Sequence, residues 1–195
     1  MSIDIQTLSG AQIARHLGDL ARLRIAVFAT FPYLYDGSEA YEEAYVREFA
    51  GESGSVLVAA FDGGRVVGAA TASPMATQKA EFRAPLEERG YDTSAMFYFG
   101  ESVLLPEYRG RGIGHAFFDQ REAAARAAGA THACFAAVVR ADDHPARPAD
   151  YRPLDPFWEK RGYQPVPGLE THFAWKEHGE SSESLKTMGY WLHAL

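Results

Sequence analysis

The chain reads as an α/β protein, and three observations carry that reading. A glycine-broken turn, Arg109-Gly-Arg-Gly-Ile-Gly114, joins a strand-like run ending Val103-Leu-Leu-Pro-Glu-Tyr to a segment with helical spacing. A nearly continuous apolar run, Ala133 to Val139, follows that segment and completes a β-α-β unit. Upstream, two runs rich in Val and Ala flank Asp62-Gly63-Gly64, a hairpin signal.

The remaining elements follow in chain order. Ile3 to Gln6 suits a short edge strand, and Ser9-Gly10 leads into a helix over Ala11 to Phe28, with Ile13, Leu17, Leu20, Ile25 and Phe28 on one face. The loop Thr30-Phe-Pro-Tyr-Leu-Tyr-Asp-Gly37 is unusually apolar, so Tyr33 and Tyr35 suit either satellite core or the wall of a substrate pocket. Ser38 is placed to cap a second helix with Glu39 in its first turn. Strands are expected over Ser55 to Phe61, Arg65 to Ala72 and Met96 to Leu105, with a partly helical insertion between Thr77 and Gly90. The prolines of Arg140 to Asp155 make a long irregular loop. Pro156 opens a short helix that Gly162 ends, and strands over Glu170 to Trp175 and Met188 to Ala194 close the chain.

Charge and composition exclude several function classes. The chain has 195 residues, 47% hydrophobic and 23% charged, and a formal net charge of −7, which disfavours nucleic acid and anionic membranes and suits a cationic substrate. No apolar stretch approaches the roughly 18 residues of a bilayer span, and the start lacks a basic leader, so a cytoplasmic protein is expected. Seven histidines form no metal signature, so no metal is expected. The single Cys134, set in Ala-Cys-Phe-Ala-Ala-Val-Val, suits a buried strand position and not a reactive thiol.

The glycine turn carries the chemistry. Gly110, Gly112 and Gly114 let successive N–H groups turn toward one ligand, the positive end of the following helix points the same way, and Arg109 and Arg111 stand beside it. A phosphate or pyrophosphate is the natural occupant. The spacing is neither that of a P-loop, which needs Gly-Lys-Ser/Thr, nor that of a dinucleotide loop, which needs G-x-G-x-x-G after a first strand.

The run Arg109, Gly112, Gly114 instead resembles the acetyl-CoA loop of the GCN5-related N-acetyltransferases (GNAT), and Phe157-Trp-Glu-Lys-Arg-Gly-Tyr163 resembles that family's late helix. The resemblance implies one domain over 1–195, with a mixed, mostly antiparallel sheet of about six or seven strands flanked by helices on both faces. It implies acetyl-CoA as co-substrate, direct acetyl transfer to a primary amine of a small molecule or peptide, and no nucleic-acid or membrane partner. Whether two copies pair through the final strand stays open.

For the site, the resemblance implies that Arg109, Gly110, Arg111, Gly112, Ile113 and Gly114 hold the pyrophosphate. It implies that the backbone of Val103, Leu104 and Leu105 pairs with the pantetheine arm like an added strand, where the fourth and fifth strands splay apart. A freed N–H near Val103 or Leu104 then donates to the thioester oxygen. Glu101 is the candidate base, since a carboxylate within an apolar strand is expensive to bury without a partner or a task. The bland alternative is a pairing with a neighbouring arginine. Relatives often carry a tyrosine acid on the late helix where this chain has Trp158, so Tyr151 is the candidate acid. Tyr33, Tyr35 and Glu39 are candidate acceptor-binding residues, Glu39 within an acidic group that includes Asp36, Glu42 and Glu43. The competing reading is an acyl-CoA-binding module that kept the cradle without the chemistry.

Overall fold

Seven strands make one sheet: β1 (Asp4–Ser9), β2 (Val56–Asp62), β3 (Arg65–Pro74), β4 (Met96–Leu104), β5 (His132–Val138), β6 (Gln164–Trp175) and β7 (Ser184–Ala194). In the computed structural model, which describes residues 3–195, their order is β1-β2-β3-β4-β5-β7-β6. Every neighbouring pair is antiparallel except β4 and β5. That one parallel pair needs a crossover, which α5 (Ile113–Ala127) supplies.

The centre of the sheet is covered on both faces. Val66 to Ser73 of β3 are all buried, and the small side chains of Gly68, Ala69, Ala70 and Ala72 let helices pack closely above and below. A Cβ on Gly68 would lie 2.5 Å from Leu104 Cδ1 and 3.1 Å from Phe117 Cζ, so this site admits no larger residue without repacking. Leu20 and Leu23 of α2 (Leu17–Phe28), Val46 of α3 (Glu39–Gly51) and Phe117 of α5 close this part of the core. A second cluster joins Phe97, Phe99, Phe118, Phe135, Tyr163 and Trp191, with Phe157 and Trp158 of α6 (Asp155–Lys160) packed against it. Each such aromatic contributes about 1.5–3 kcal/mol by leaving water. A third cluster, Met75, Leu86, Tyr98, Cys134 and Tyr190, lies under α4 (Ala80–Glu88).

The structure refines three elements of the sequence expectation. The helix over 11–28 is two pieces, α1 (Ala11–Ala14) and α2, because His16 leaves helical geometry (φ −117°, ψ 12°) and becomes the N-cap residue of α2. α4 persists through Pro85, which supplies no N–H to the Glu81 carbonyl; the Thr171 hydroxyl of β6 donates to that carbonyl instead at 2.7 Å. β6 begins at Gln164 and not Glu170, with its register broken between Pro165 and Glu170, where Pro165, Pro167 and the left-handed Gly168 interrupt the ladder. The Ser38 cap is present, its hydroxyl accepting from the Tyr41 N–H at 3.3 Å.

Cys134 is fully buried, and burial pushes its thiol well above the usual range. The expected result is that a colorimetric disulfide reagent at pH 8 leaves the native protein unmodified and titrates one thiol per chain in denaturant. Rapid reaction of the native protein would show that β5 opens locally.

Candidate active site

The site begins where β4 and β5 part. They pair at Met96 with His132, Phe97 with Ala133 and Tyr98 with Cys134; beyond that β5 follows β7 as far as Val138 while β4 follows β3. The edge of β4 that faces β5 is therefore open from Phe99 onward.

A bulge lies at the same place. Ala72 opposes Phe99 and Ala70 opposes Ser102, so Thr71 alone faces both Gly100 and Glu101. The Glu101 N–H donates to Thr71 Oγ1 at 3.1 Å. A Cβ on Gly100 would stand 2.4 Å from that same oxygen, which explains the glycine. The bulge also reverses which face a side chain takes. Phe97 and Phe99 face Phe118 of α5, so plain alternation would send Glu101 there too; the extra residue turns it to the face of Tyr98, where Arg24 and Tyr45 lie.

Strand parity sorts the residues expected along the pantetheine arm. The Leu105 N–H donates to the Val67 carbonyl at 3.1 Å, so Leu105 and, by alternation, Val103 direct their backbone groups to β3. Leu104 and Ser102 face the gap, and Arg109 Nε reaches the Leu104 carbonyl at 3.3 Å. Of Val103, Leu104 and Leu105, only Leu104 offers its backbone to a ligand in the gap. Ser102 joins it, and sequence alone held no signal of this because parity is known only once the strands are paired.

The glycine turn lies at the far end of this gap. Gly110 (φ 74°) and Gly112 (φ 81°) are left-handed, and nothing stands within 4 Å of a Cβ at either position. Gly112 caps α5. Among the described residues, the N–H groups of Gly110, Arg111, Gly112, Ile113, Gly114 and His115 have no partner. The Arg109 N–H is committed to the Pro106 carbonyl at 3.1 Å, so the free run starts at Gly110. Such a run at the start of a long helix suits a pyrophosphate. Ile113 packs its side chain into the core and leaves its N–H to the turn, while Arg111 folds back on Tyr108 and the Glu107 carbonyl.

At the bulge, Arg24 of α2 holds two carboxylates. Its Nη1 donates to Glu101 Oε2 at 2.7 Å and its Nε to Glu42 Oε2 at 2.5 Å, and the guanidinium stacks 4.1 Å from the Tyr45 ring. Burial works against the Arg24 charge, yet Glu101 and Glu42 outweigh it and hold the guanidinium pKa above its ordinary value. The expected acidic group is thus divided. Glu42 is buried, Asp36 pairs with Lys176 at 2.8 Å, and Glu39 is exposed with no ion pair among the described residues.

The loop before α3 is tied down from the other side. Arg140 Nε donates to the Pro32 carbonyl at 2.7 Å, Trp175 Nε1 to the Tyr33 carbonyl at 3.0 Å, and Tyr35 bridges to Glu177. Tyr33, within electrostatic reach of Arg24, Tyr151 and Glu101, has its hydroxyl pushed up to about 12 by burial. Tyr35 is raised by burial and by Glu42 beside it. Tyr151 packs edge-on against Phe31 at 4.7 Å, and burial raises it as well. Trp158 is half-buried against the aromatic core, 4.9 Å from Phe135 and 5.0 Å from Trp191 between ring centroids.

A small cleft opens beside the bulge, with Tyr45, Phe49, Glu52, Ser73, Tyr98 and Gly100 among its lining residues. Neither Tyr33, Tyr35 nor Glu39 lines it. Arg24, Tyr45 and Glu52 carry no motif, and only the tertiary fold brings them to the bulge.

Among the described residues no group of His, Cys, Asp and Glu can hold a metal, and no helix is long and apolar enough to cross a membrane. Solved structures share the fold at low identity. A PaiA N-acetyltransferase of Thermoplasma acidophilum in complex with coenzyme A is 16% identical, with TM-score 0.55 and 100% of both chains covered. The ribosomal-protein-alanine N-acetyltransferase of Brucella melitensis is 12% identical, with TM-score 0.61 and 100% of both chains covered. The yncA protein of Salmonella typhimurium, solved with its cofactor acetyl-CoA, is 11% identical with TM-score 0.62, over 100% of this chain and 95% of its own. A search of curated proteins gives no match. Residues 21–163 match the model of the acetyltransferase (GNAT) family, nearly three quarters of the sequence, and the chain belongs to that family.

Proposed function

We propose that this protein, as one domain over 1–195, transfers an acetyl group from acetyl-CoA to a primary amine of a small molecule or peptide by direct attack in a ternary complex. The observation that carries the reading is the run of six unpartnered N–H groups from Gly110 to His115, set at the end of an open β4 edge. Acetyl-CoA, when bound, supplies the thioester that the amine attacks. The Gly110 to His115 N–H groups and the α5 N-terminus bind the pyrophosphate. The backbone of Ser102 and Leu104 orients the pantetheine arm as an added strand. A freed β4 N–H donates to the thioester oxygen, an interaction worth about 2.7–4 kcal/mol in comparable sites. Glu101 takes the ammonium proton on Oε1, which is buried without a partner among the described residues. Tyr151 keeps its proton at neutral pH and donates it to the departing thiolate. The aromatic cleft with Glu52 receives the acceptor, in keeping with the net charge of −7.

Trp158, packed against the aromatic core where many relatives carry a tyrosine acid, favours a second reading, a module that binds acyl-CoA without turnover. Thermal denaturation with acetyl-CoA, CoA, NAD and ATP in parallel tests the shared premise. Stabilisation of about 2.7 kcal/mol is expected for either CoA species at 100 times its dissociation constant, and none for NAD or ATP. CoA release on an amine panel then separates the two readings. Stabilisation by NAD or ATP alone would overturn both.

A further inference from the structure

Arg24 reaches across from α2 and holds Glu101 of β4 and Glu42 of α3 with different nitrogens, so a single guanidinium serves two carboxylates from two other elements. Exposure of the three side chains is 11% for Arg24, 0% for Glu42 and 4% for Glu101. Both carboxylates keep a second oxygen buried without a partner among the described residues. The two carboxylates thus divide one guanidinium between them. An isolated Arg–Glu pair would instead hold its carboxylate ionised and make it a poor proton acceptor.

Other groups lie within electrostatic reach of Glu101: Tyr45 of α3, Tyr33 of the loop before it, and Arg121 of α5 on the opposite face of the sheet. Burial raises both tyrosines, so each stays neutral near pH 7. The charges left to act on Glu101 are those of Arg24, Glu42 and Arg121. Arg121 spends its Nε on the Phe117 carbonyl and its Nη1 on the Thr71 carbonyl, and lies over the Phe99 and Phe118 rings.

We propose that Glu42 is a positioning residue for acetyl transfer: by sharing the Arg24 guanidinium it fixes the end-on hold on Glu101 and preserves the basicity of that carboxylate. The inference rests on Glu101 as the base. Glu42 is fully buried and reaches Glu101 through Arg24.

The test is a titration of the Glu101 carboxyl by carbon-13 NMR in the full chain labelled with glutamate, the signal being assigned by its loss in Glu101→Gln. In Glu42→Gln the amide still accepts from Arg24 Nε but the second negative charge is gone, and the Glu101 midpoint is expected to fall by about one pH unit or more. In Arg24→Lys the cation keeps its charge but loses the fork that spans both carboxylates, and the midpoint is expected to rise. Glu42 being isosteric with glutamine, that variant alone decides should Arg24→Lys fail to fold. A midpoint in Glu42→Gln that stays within a few tenths of a unit, or rises, overturns the proposal. Failure of the base assignment reads differently: Glu101→Gln would then turn over normally while the titration shift still appeared.

Discussion

Replacing Gly112 by valine is expected to leave a folded protein that binds acetyl-CoA at least about 100-fold more weakly. Gly112 caps α5 at φ 81° and ψ −4°, in the left-handed region, which is especially costly for a β-branched side chain. No atom lies within 4 Å of the new Cβ, so the cost to the apo fold is backbone strain alone, about 1–2 kcal/mol, or a few degrees in Tm for a chain of this size. The ligand loses more. Valine relaxes the cap toward extended geometry and turns the Ile113 and Gly114 N–H groups away, and its own methyls enter the space that the turn leaves open. Two charge-assisted hydrogen bonds at about 1.5–3 kcal/mol each amount to about 3 kcal/mol or more, hence the 100-fold. Calorimetric titration with acetyl-CoA reads the loss, and far-UV circular dichroism confirms the fold. Affinity within threefold of the parent in a folded variant would show that the pyrophosphate lies elsewhere. Gly110→Ala, also left-handed but two residues ahead of the cap, is expected to lose less.

Much of the cradle was legible in the sequence because local chemistry dictates it: glycines at left-handed positions, a helix that starts at Ile113, and apolar runs that leave the strands little choice. The hairpin at Gly63-Gly64 and the Ser38 cap were legible for the same reason. What could not be read depends on partners far along the chain. The start of β6 was hidden by Pro165 and Pro167, which look like loop residues until β7 lies beside them. α4 passes Pro85 only because Thr171, 90 residues later than Glu81, supplies the missing donor. The facing of Glu101 was hidden most deeply. Its neighbours Phe97 and Phe99 point to α5, and the bulge that sends it the other way arises from Thr71 on a different strand. Glu42 was visible only as one of several acids on a helix, where exposure is the default; burial separates it from Glu39 three residues before.

Glu101→Gln is expected to lower turnover by about 100-fold or more at pH 7 while acetyl-CoA affinity stays within about threefold. The amide keeps the shape of the carboxyl and still accepts from Arg24 Nη1, which now sits 2.7 Å from Glu101 Oε2, so the bulge and the guanidinium remain in place. What is lost is the proton acceptor. An ordinary alkylamine with a pKa near 10.4 is free base in only roughly one molecule in 2,500 at pH 7, so the wild-type site must remove a proton that the variant leaves on the amine. The sign of the pH dependence follows. Raising the pH deprotonates the amine in solution, so the variant gains about tenfold in rate per pH unit until the amine pKa is passed, while the wild type, already supplied with a base, gains far less. The ratio of the two rates therefore narrows as pH rises from 7 toward 10. Steady-state release of CoA, followed with a thiol reagent over that range, measures it; the buried Cys134 does not interfere. Equal rates at pH 7, or a ratio that does not change with pH, would remove Glu101 as the base and leave its pairing with Arg24 as a structural one.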